Sequence, residues 1–339
     1  LICFFEFFNQ GVSAPFLIYR RLEKLGDKVH ISGMNFEIPF SILRPGDSVC
    51  LVSPSYSAKK DDIFSGIKVL ESYGLRIELG PNVFKSWGNF AGTDRERISD
   101  LQWALDHPKA KAIHFIRGGY GLGRILHLLN WEIFFQNPKW LIGLSDITLM
   151  HLQAQKFNFP SLHGPMIAKL GQRENEESSY FLMDFLLGKK QNLFYQIFPE
   201  SLPKETRILE GILWGGNLSM LAHAIGRGLE SQAQPYILFL EEVGEAFYRI
   251  DRMIWQLKMA VQNFLPMAIV LGQFTDCPSL AFPRTLGELV ADAFEGIPVF
   301  SGLKSGHGNP NFPLIHGLEA RIKNEKGTYF FSQSSIKPE

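Results

Sequence analysis

Strand-like and helix-like stretches alternate from about residue 44 onward, and no other feature of the chain restricts its fold as strongly. DSVCLVSPS is an apolar run of strand length, KKDDIFSGIKVLESYG has helical spacing that stops at Gly74, and LRIELG returns to strand character. GTDRERISDLQWALDHP continues as a helix, with Thr93 or Asp94 as its cap and Pro108 just past its end. AKAIHFIRGGYG is a strand entering a glycine-rich loop, GRILHLLN is helical, and KWLIGL is again a strand. Strands separated by helices imply a parallel sheet with helices on its faces.

With 339 residues the chain exceeds what one core usually supports, so two domains are expected. Residues 168–207 carry charge clusters and little strand periodicity, which suits an inter-domain connection between a first domain at 44–167 and a second at 208–339. The second part mixes strands and helices, among them GILWGGNLSMLAHAIG, YILFLEEVGEAFYRIDRMIWQLKMA and MAIVLGQF, and reads as a second α/β domain. Residues 1–43 precede the alternation and are set apart as an N-terminal extension of open role: aromatic-rich, interrupted by Glu6, Asn9 and Gln10, and without the basic region of a secretory signal.

Several classes of function are disfavoured. A formal net charge of zero gives no electrostatic reason for a nucleic-acid partner. Cys3, Cys50 and Cys277 are too scattered for a disulfide framework, and the histidines lack H-x-x-x-H or H-E-x-x-H spacing, so no metal is assigned. No run approaches the length of a membrane span.

Four stretches can carry chemistry. In KWLIGLSDITLMHL, Ser145 stands where a strand turns into a helix, the place where α/β sheets build their sites; it is either a helix cap or a nucleophile. The segment Gly143-Leu144-Ser145-Asp146-Ile147 lacks the second glycine of G-x-S-x-G. A serine nucleophile needs a base held by an acid. YILFLEEVGE offers Glu241, Glu242 and Glu245, one to orient a histidine while the others face solvent, and LKSGHGNPN offers His307 in a glycine-flanked loop. The loop Arg117-Gly118-Gly119-Tyr120-Gly121 provides oxyanion donors, a phosphate-cradling turn or a plain tight turn.

AGTDRERISDLQWALDHPKAKAIHFIRGGYG, GLSDIT, HGPM, GGNLSML, LFLEEVGEAFYRIDRM and SGHGN occur in the order and approximate spacing of the serine LD-carboxypeptidases, or muramoyltetrapeptide carboxypeptidases, and from about residue 44 onward the chain resembles that family. The resemblance implies a parallel-sheet domain of Rossmann or flavodoxin type plus a second, smaller α/β domain. It implies a catalytic triad of Ser145, Glu241 and His307, and an oxyanion hole from the amides of Gly119, chosen over Gly118, and Asp146. Leu144 stands where the family commonly has an aromatic residue. The implied enzyme is a cofactor-free cytoplasmic serine peptidase, paired as a homodimer, that releases the C-terminal D-alanine of a muropeptide tetrapeptide during peptidoglycan recycling. A related activity with the same apparatus, the microcin C immunity peptidases acting on a toxic aminoacyl-nucleotide, is ranked second, because YRIDRM looks more like the murein branch. A non-catalytic nucleotide-binding module is the reading of another class and rests on the glycine loop alone.

Overall fold

The computed structural model describes residues 42–190, 192–202, 208–229, 235–279 and 282–333; the extension read at 1–43 falls almost entirely outside them. Strands β1 (Ser48–Val52), β2 (Arg76–Leu79), β3 (Ala110–Phe115), β4 (Trp140–Gly143) and β5 (Ser161–His163) run parallel in the order β5-β4-β3-β1-β2. Every residue of β4, and Val49–Val52 of β1, is buried. Strands covered on both faces read as continuous apolar runs, which is why these segments stand out in the sequence.

The helices between them include α1 (Lys60–Ser72) and α2 (Asp94–Asp106). Thr93, not Asp94, caps α2: its Oγ1 accepts the Glu96 amide at 3.4 Å while Glu96 Oε2 accepts the Thr93 amide at 2.8 Å, a reciprocal capping box. At the other end the buried Lys139 ammonium donates to the carbonyls of Leu105 and His107, each at 2.8 Å, meeting helix-end oxygens that lack intrahelical partners. Burial pulls the Lys139 pKa down to about 8. Strand order reverses between β1 and β3, and such a switch point opens a crevice at the carboxyl ends of the strands.

The second part departs from the simple α/β domain expected. Strands β6 (Leu193–Ser201), β7 (Ile208–Asn217), β8 (Tyr236–Val243), β9 (Ala268–Thr275), β10 (Val299–Ser301), β12 (Glu319–Glu325) and β13 (Thr328–Gln333) form a closed barrel ordered β10-β6-β13-β12-β7-β8-β9. The run β7-β8-β9-β10 is parallel, whereas β6, β13 and β12 pair antiparallel. Closure hangs on three-residue β10, which pairs with β9 on one side and with β6, about a hundred positions upstream, on the other. Local periodicity carries no trace of such a pairing. Strand β6 itself lies in the stretch that reads as a connection; its residues alternate between buried and exposed from Leu193 to Phe198.

Strand β11 (Leu314–His316) leaves the barrel sequence and pairs antiparallel with β5, Leu314 opposite His163, as the sixth strand of the first sheet. The chain segment entering β11 therefore arrives at the same sheet edge from which the loops after β1, β3 and β4 depart.

Candidate active site

After β4, Leu144 is extended and Ser145 has φ of 66°, a left-handed backbone that costs a side-chain-bearing residue about 1–3 kcal/mol. Ser145 opens a single helical turn, Ser145–Ile147, that leads into α3 (Thr148–Lys156). The cap positions fall on Leu144 before the turn and Ile147 before α3, so Ser145 is not a helix cap, and its hydroxyl has no hydrogen-bond partner among the described residues. A sharp, strained strand-to-helix turn is how a nucleophile elbow presents its serine, here without the usual glycine pattern. The Gly143 carbonyl beneath the turn accepts from Gly164 N at 3.1 Å and from buried His151 Nε2 at 2.9 Å.

Asp146 fixes this turn to its neighbours. Its buried Oδ2 accepts the Ser55 hydroxyl at 2.6 Å and the Leu122 amide at 2.9 Å, so one carboxylate joins the loops following β1, β3 and β4. Burial raises its pKa against the pull of those bonds.

The glycine loop lies against the serine. A β-carbon on Gly118 would stand 2.8 Å from Ser145 Cβ and 3.1 Å from its Oγ, so only glycine permits the approach. Gly119, at φ of 108°, packs as closely on the Tyr56 ring. The amides of Gly118 and Gly119 have no acceptor among the described residues, and that of Asp146 stands in the first turn of its helix, where no intrahelical acceptor is available. Arg117 reaches away from the serine to donate to the Ser57 carbonyl at 2.7 Å.

On the barrel side, successive residues of β8 face opposite ways, and this separates the glutamates. Fully buried Glu241 accepts His307 Nδ1–H on Oε2 at 2.7 Å, and its Oε1 has no partner among the described residues. Glu242 accepts four bonds, from Asn217 Nδ2, Val243 N, Ser219 N and Ser219 Oγ, at 2.6–3.0 Å. It is buried rather than solvent-facing as expected, and burial raises its pKa. Glu245 is at the surface with Arg249 at 3.2 Å.

The His307 loop is clamped by side chains from elsewhere. Gln273 on β9 accepts the Gly308 amide and donates to the Pro310 carbonyl, both at 2.9 Å. Asn311 Oδ1 accepts the Gly306 amide at 3.0 Å, and its own amide donates at 2.8 Å to Ser178 on α4 (Glu176–Leu186). Burial alone would lower the His307 pKa; the charge and hydrogen bond of Glu241 outweigh it and raise the pKa above the ordinary value, with Glu242 adding to the rise and Lys169 opposing it.

The two sides meet through Thr148, three residues after the serine. Asn217, at the end of β7 and in register with Glu241, donates its amide to Thr148 Oγ1 at 3.1 Å. Gly216 sits so close that a β-carbon there would lie 2.7 Å from Thr148 Cγ2. Ser145 thus comes to the junction from β4, Glu241 from β8, and His307 from the loop before β11. His307 and Glu241 are joined directly, and no hydrogen bond spans Ser145 and His307 among the described residues. Sequence alone does not single out the supporting groups Ser55, Thr148, Ser178, Asn217 and Gln273. Of these, Thr148 and Asn217 lie within the quoted GLSDIT and GGNLSML motifs, the one signal that could have found them.

Residues 49–164 match the LD-carboxypeptidase N-terminal domain and residues 210–322 the LD-carboxypeptidase C-terminal domain. The murein tetrapeptide carboxypeptidase of Pseudomonas aeruginosa is 34% identical over 82% of this chain and 94% of its own length. The chain belongs to the LD-carboxypeptidase family. As a member it is a serine carboxypeptidase, a hydrolase, and the resemblance of its motifs is borne out. Among solved structures, the muramoyltetrapeptide carboxypeptidase of Oxalobacter formigenes superposes with a TM-score of 0.74 at 26% identity, over 86% of this chain and all of that one. An MccF-like protein of Bacillus anthracis has the same fold, with a TM-score of 0.78 at 22% identity over 87% of this chain and 99% of the other. Among the described residues of this LD-carboxypeptidase no helix is long and apolar enough to cross a membrane, and no group of three or more His, Cys, Asp or Glu side chains is placed to hold a metal ion.

Proposed function

We propose that this LD-carboxypeptidase releases the C-terminal D-alanine from a murein tetrapeptide, cleaving the L-to-D peptide bond with Ser145 as nucleophile, His307 as general base and Glu241 as its orienting acid. The part-buried Glu241–His307 bond of 2.7 Å at the junction with the strained Ser145 turn carries the reading. Glu241 holds the imidazole with Nδ1 protonated, which leaves Nε2 as the base. Nε2 takes the serine proton as Oγ attacks the scissile carbonyl carbon, and the amides of Gly119 and Asp146 receive the developing oxyanion. The C–N bond breaks as the imidazolium returns that proton to the departing amine of D-alanine. Water, activated by the same imidazole, then hydrolyses the acyl-serine. No step requires a cofactor.

The name of the 34%-identical relative supports the substrate class. The same reading carries a place in the cytoplasm, in keeping with the scattered cysteines, and a homodimeric assembly. Incubation with a defined muramyl tetrapeptide, followed by mass spectrometry, tests it: loss of one alanine from the peptide is expected. An intact tetrapeptide beside a cleaved aminoacyl-nucleotide would replace it with the microcin-type activity.

A further inference from the structure

Four aromatic rings cover the carboxyl edge of the sheet beyond the oxyanion loop. Centroids are 5.9 Å apart for Tyr56–Phe90, 5.9 Å for Trp87–Phe90 and 5.8 Å for Phe90–Tyr120, while Trp87 and Tyr120 are 56% and 47% exposed. The ledge is rigid. Trp87 and Phe90 close a hairpin with reciprocal backbone bonds of 2.9 and 3.1 Å around Gly88, whose φ is 59°. Two further bonds, Ser57 N to Asn89 O at 2.9 Å and Ala91 N to Ser55 O at 3.0 Å, stitch that hairpin to the exit of β1, and the buried Arg97 guanidinium lies 4.9 Å from the Phe90 centroid.

Strand order gives the ledge a direction. Across the sheet edge come the His307 loop at β11, then β5, then Ser145 after β4, the glycine loop after β3, Tyr56 after β1 and the Trp87–Phe90 hairpin after β2. Because His307 returns its proton to the leaving amine, the released residue lies on the β11 side and the acyl chain runs toward β1 and β2. With strands about 4.8 Å apart, β4 to β2 spans about 14 Å. Three extended residues upstream of the scissile bond reach about 10 Å. Whatever is attached to the N-terminus of a tetrapeptide therefore arrives at the rings.

We infer that Tyr56, Phe90, Trp87 and Tyr120 form a saccharide subsite that takes the amino sugar at the N-terminus of the murein peptide. A pyranose presents a face of C–H groups to the electron-rich faces of exposed aromatic rings. The exposed Arg117 guanidinium, 5.9 Å from the Tyr56 centroid, supplies donors for the sugar's oxygens. A preformed ledge binds without the cost of ordering loose side chains. The inference rests on the murein-peptide reading and deepens it by making the enzyme selective for sugar-bearing peptides.

The test compares kcat/KM for the free tetrapeptide and for the same peptide carrying N-acetylmuramic acid. The sugar-bearing substrate is expected to be preferred, and Trp87→Ala to cut that preference about 10-fold, the scale of one lost aromatic contact. Trp255→Ala, an exposed indole on the barrel helix Phe247–Ala260, keeps the preference. Equal rates on both substrates in the unaltered enzyme, or a preference that survives Trp87→Ala, overturns the inference. If neither peptide is cleaved, the peptidase reading falls while the ledge is still judged, by titrating a muramyl disaccharide alone in a calorimeter. Saturable binding lost in Trp87→Ala upholds the subsite, and its absence in the unaltered protein refutes it.

Discussion

Ser145 and His307 are held at the same junction by different means. The serine is placed by backbone: a left-handed residue at a strand end, a neighbouring loop whose glycine admits it, and a buried carboxylate that joins three strand exits. The histidine is placed by side chains reaching in from Glu241, Gln273 and, through Asn311, Ser178. A side chain fixed by backbone geometry tolerates almost no change of local shape, whereas one fixed by several separate hydrogen bonds should loosen by degrees.

Ser145→Ala removes the proposed nucleophile and should lower kcat by about 10⁴–10⁶-fold, read in steady-state cleavage of a tetrapeptide. Glu241→Gln should cost about 10³–10⁴-fold while the protein stays folded. Because Glu241 raises the His307 pKa, the acid limb of kcat/KM lies above 6.5 in the unaltered enzyme and moves to lower pH in Glu241→Gln. Glu242→Gln puts a donor where four donors converge, so its effect should be chiefly on stability, about 1–3 kcal/mol by denaturant titration. If the two substitutions act alike, the division of labour between the faces of β8 is wrong.

Gly118→Ala tests the backbone side. A β-carbon against Ser145 shifts the turn, and about 10²-fold of kcat should be lost with little change in stability. Gln273→Leu removes two bonds from the His307 loop and should cost only about 10-fold. A larger loss for Gln273→Leu than for Gly118→Ala would reverse the contrast.

Acid should separate the two sides as well. Burial pulls His114 and His151 to about 4, and His163 and His316 well below their ordinary value. An unfolded chain binds protons that these folded imidazoles refuse, so their stability contribution is complete above pH 6.5 and falls as pH drops toward 4. His307, with its raised pKa, behaves oppositely: its contribution is complete below 6.5 and is lost as pH rises through the folded value. Hydrogen exchange at pH 7.5 and 5.0 should show the amides of β4 and β5 losing protection in acid, while the β8 amides around Glu241 change least.

The first sheet is legible in the sequence because doubly covered strands leave unbroken apolar runs, and Ser145 is legible as the turn ending one of them. The choice of Glu241 over Glu242 is not, since both are buried and only the side-chain alternation of β8 separates their partners. The barrel closes through β10 and β6, which share no local pattern. Gln273, Ser178 and Asn217 reach Gly308, Asn311 and Thr148, which lie 35, 133 and 69 positions away, and such long-range contacts leave no periodicity to read.

The pairing of β11 with β5 bears on how the enzyme comes into being on the ribosome. Residues 161–163 emerge long before residues 314–316, and at 5–20 residues per second the interval is roughly 8–30 s. Throughout that wait the nascent first sheet lacks its sixth strand and the His307 loop leading into it, so under the proposed mechanism Ser145 has no base until residue 307 has been made.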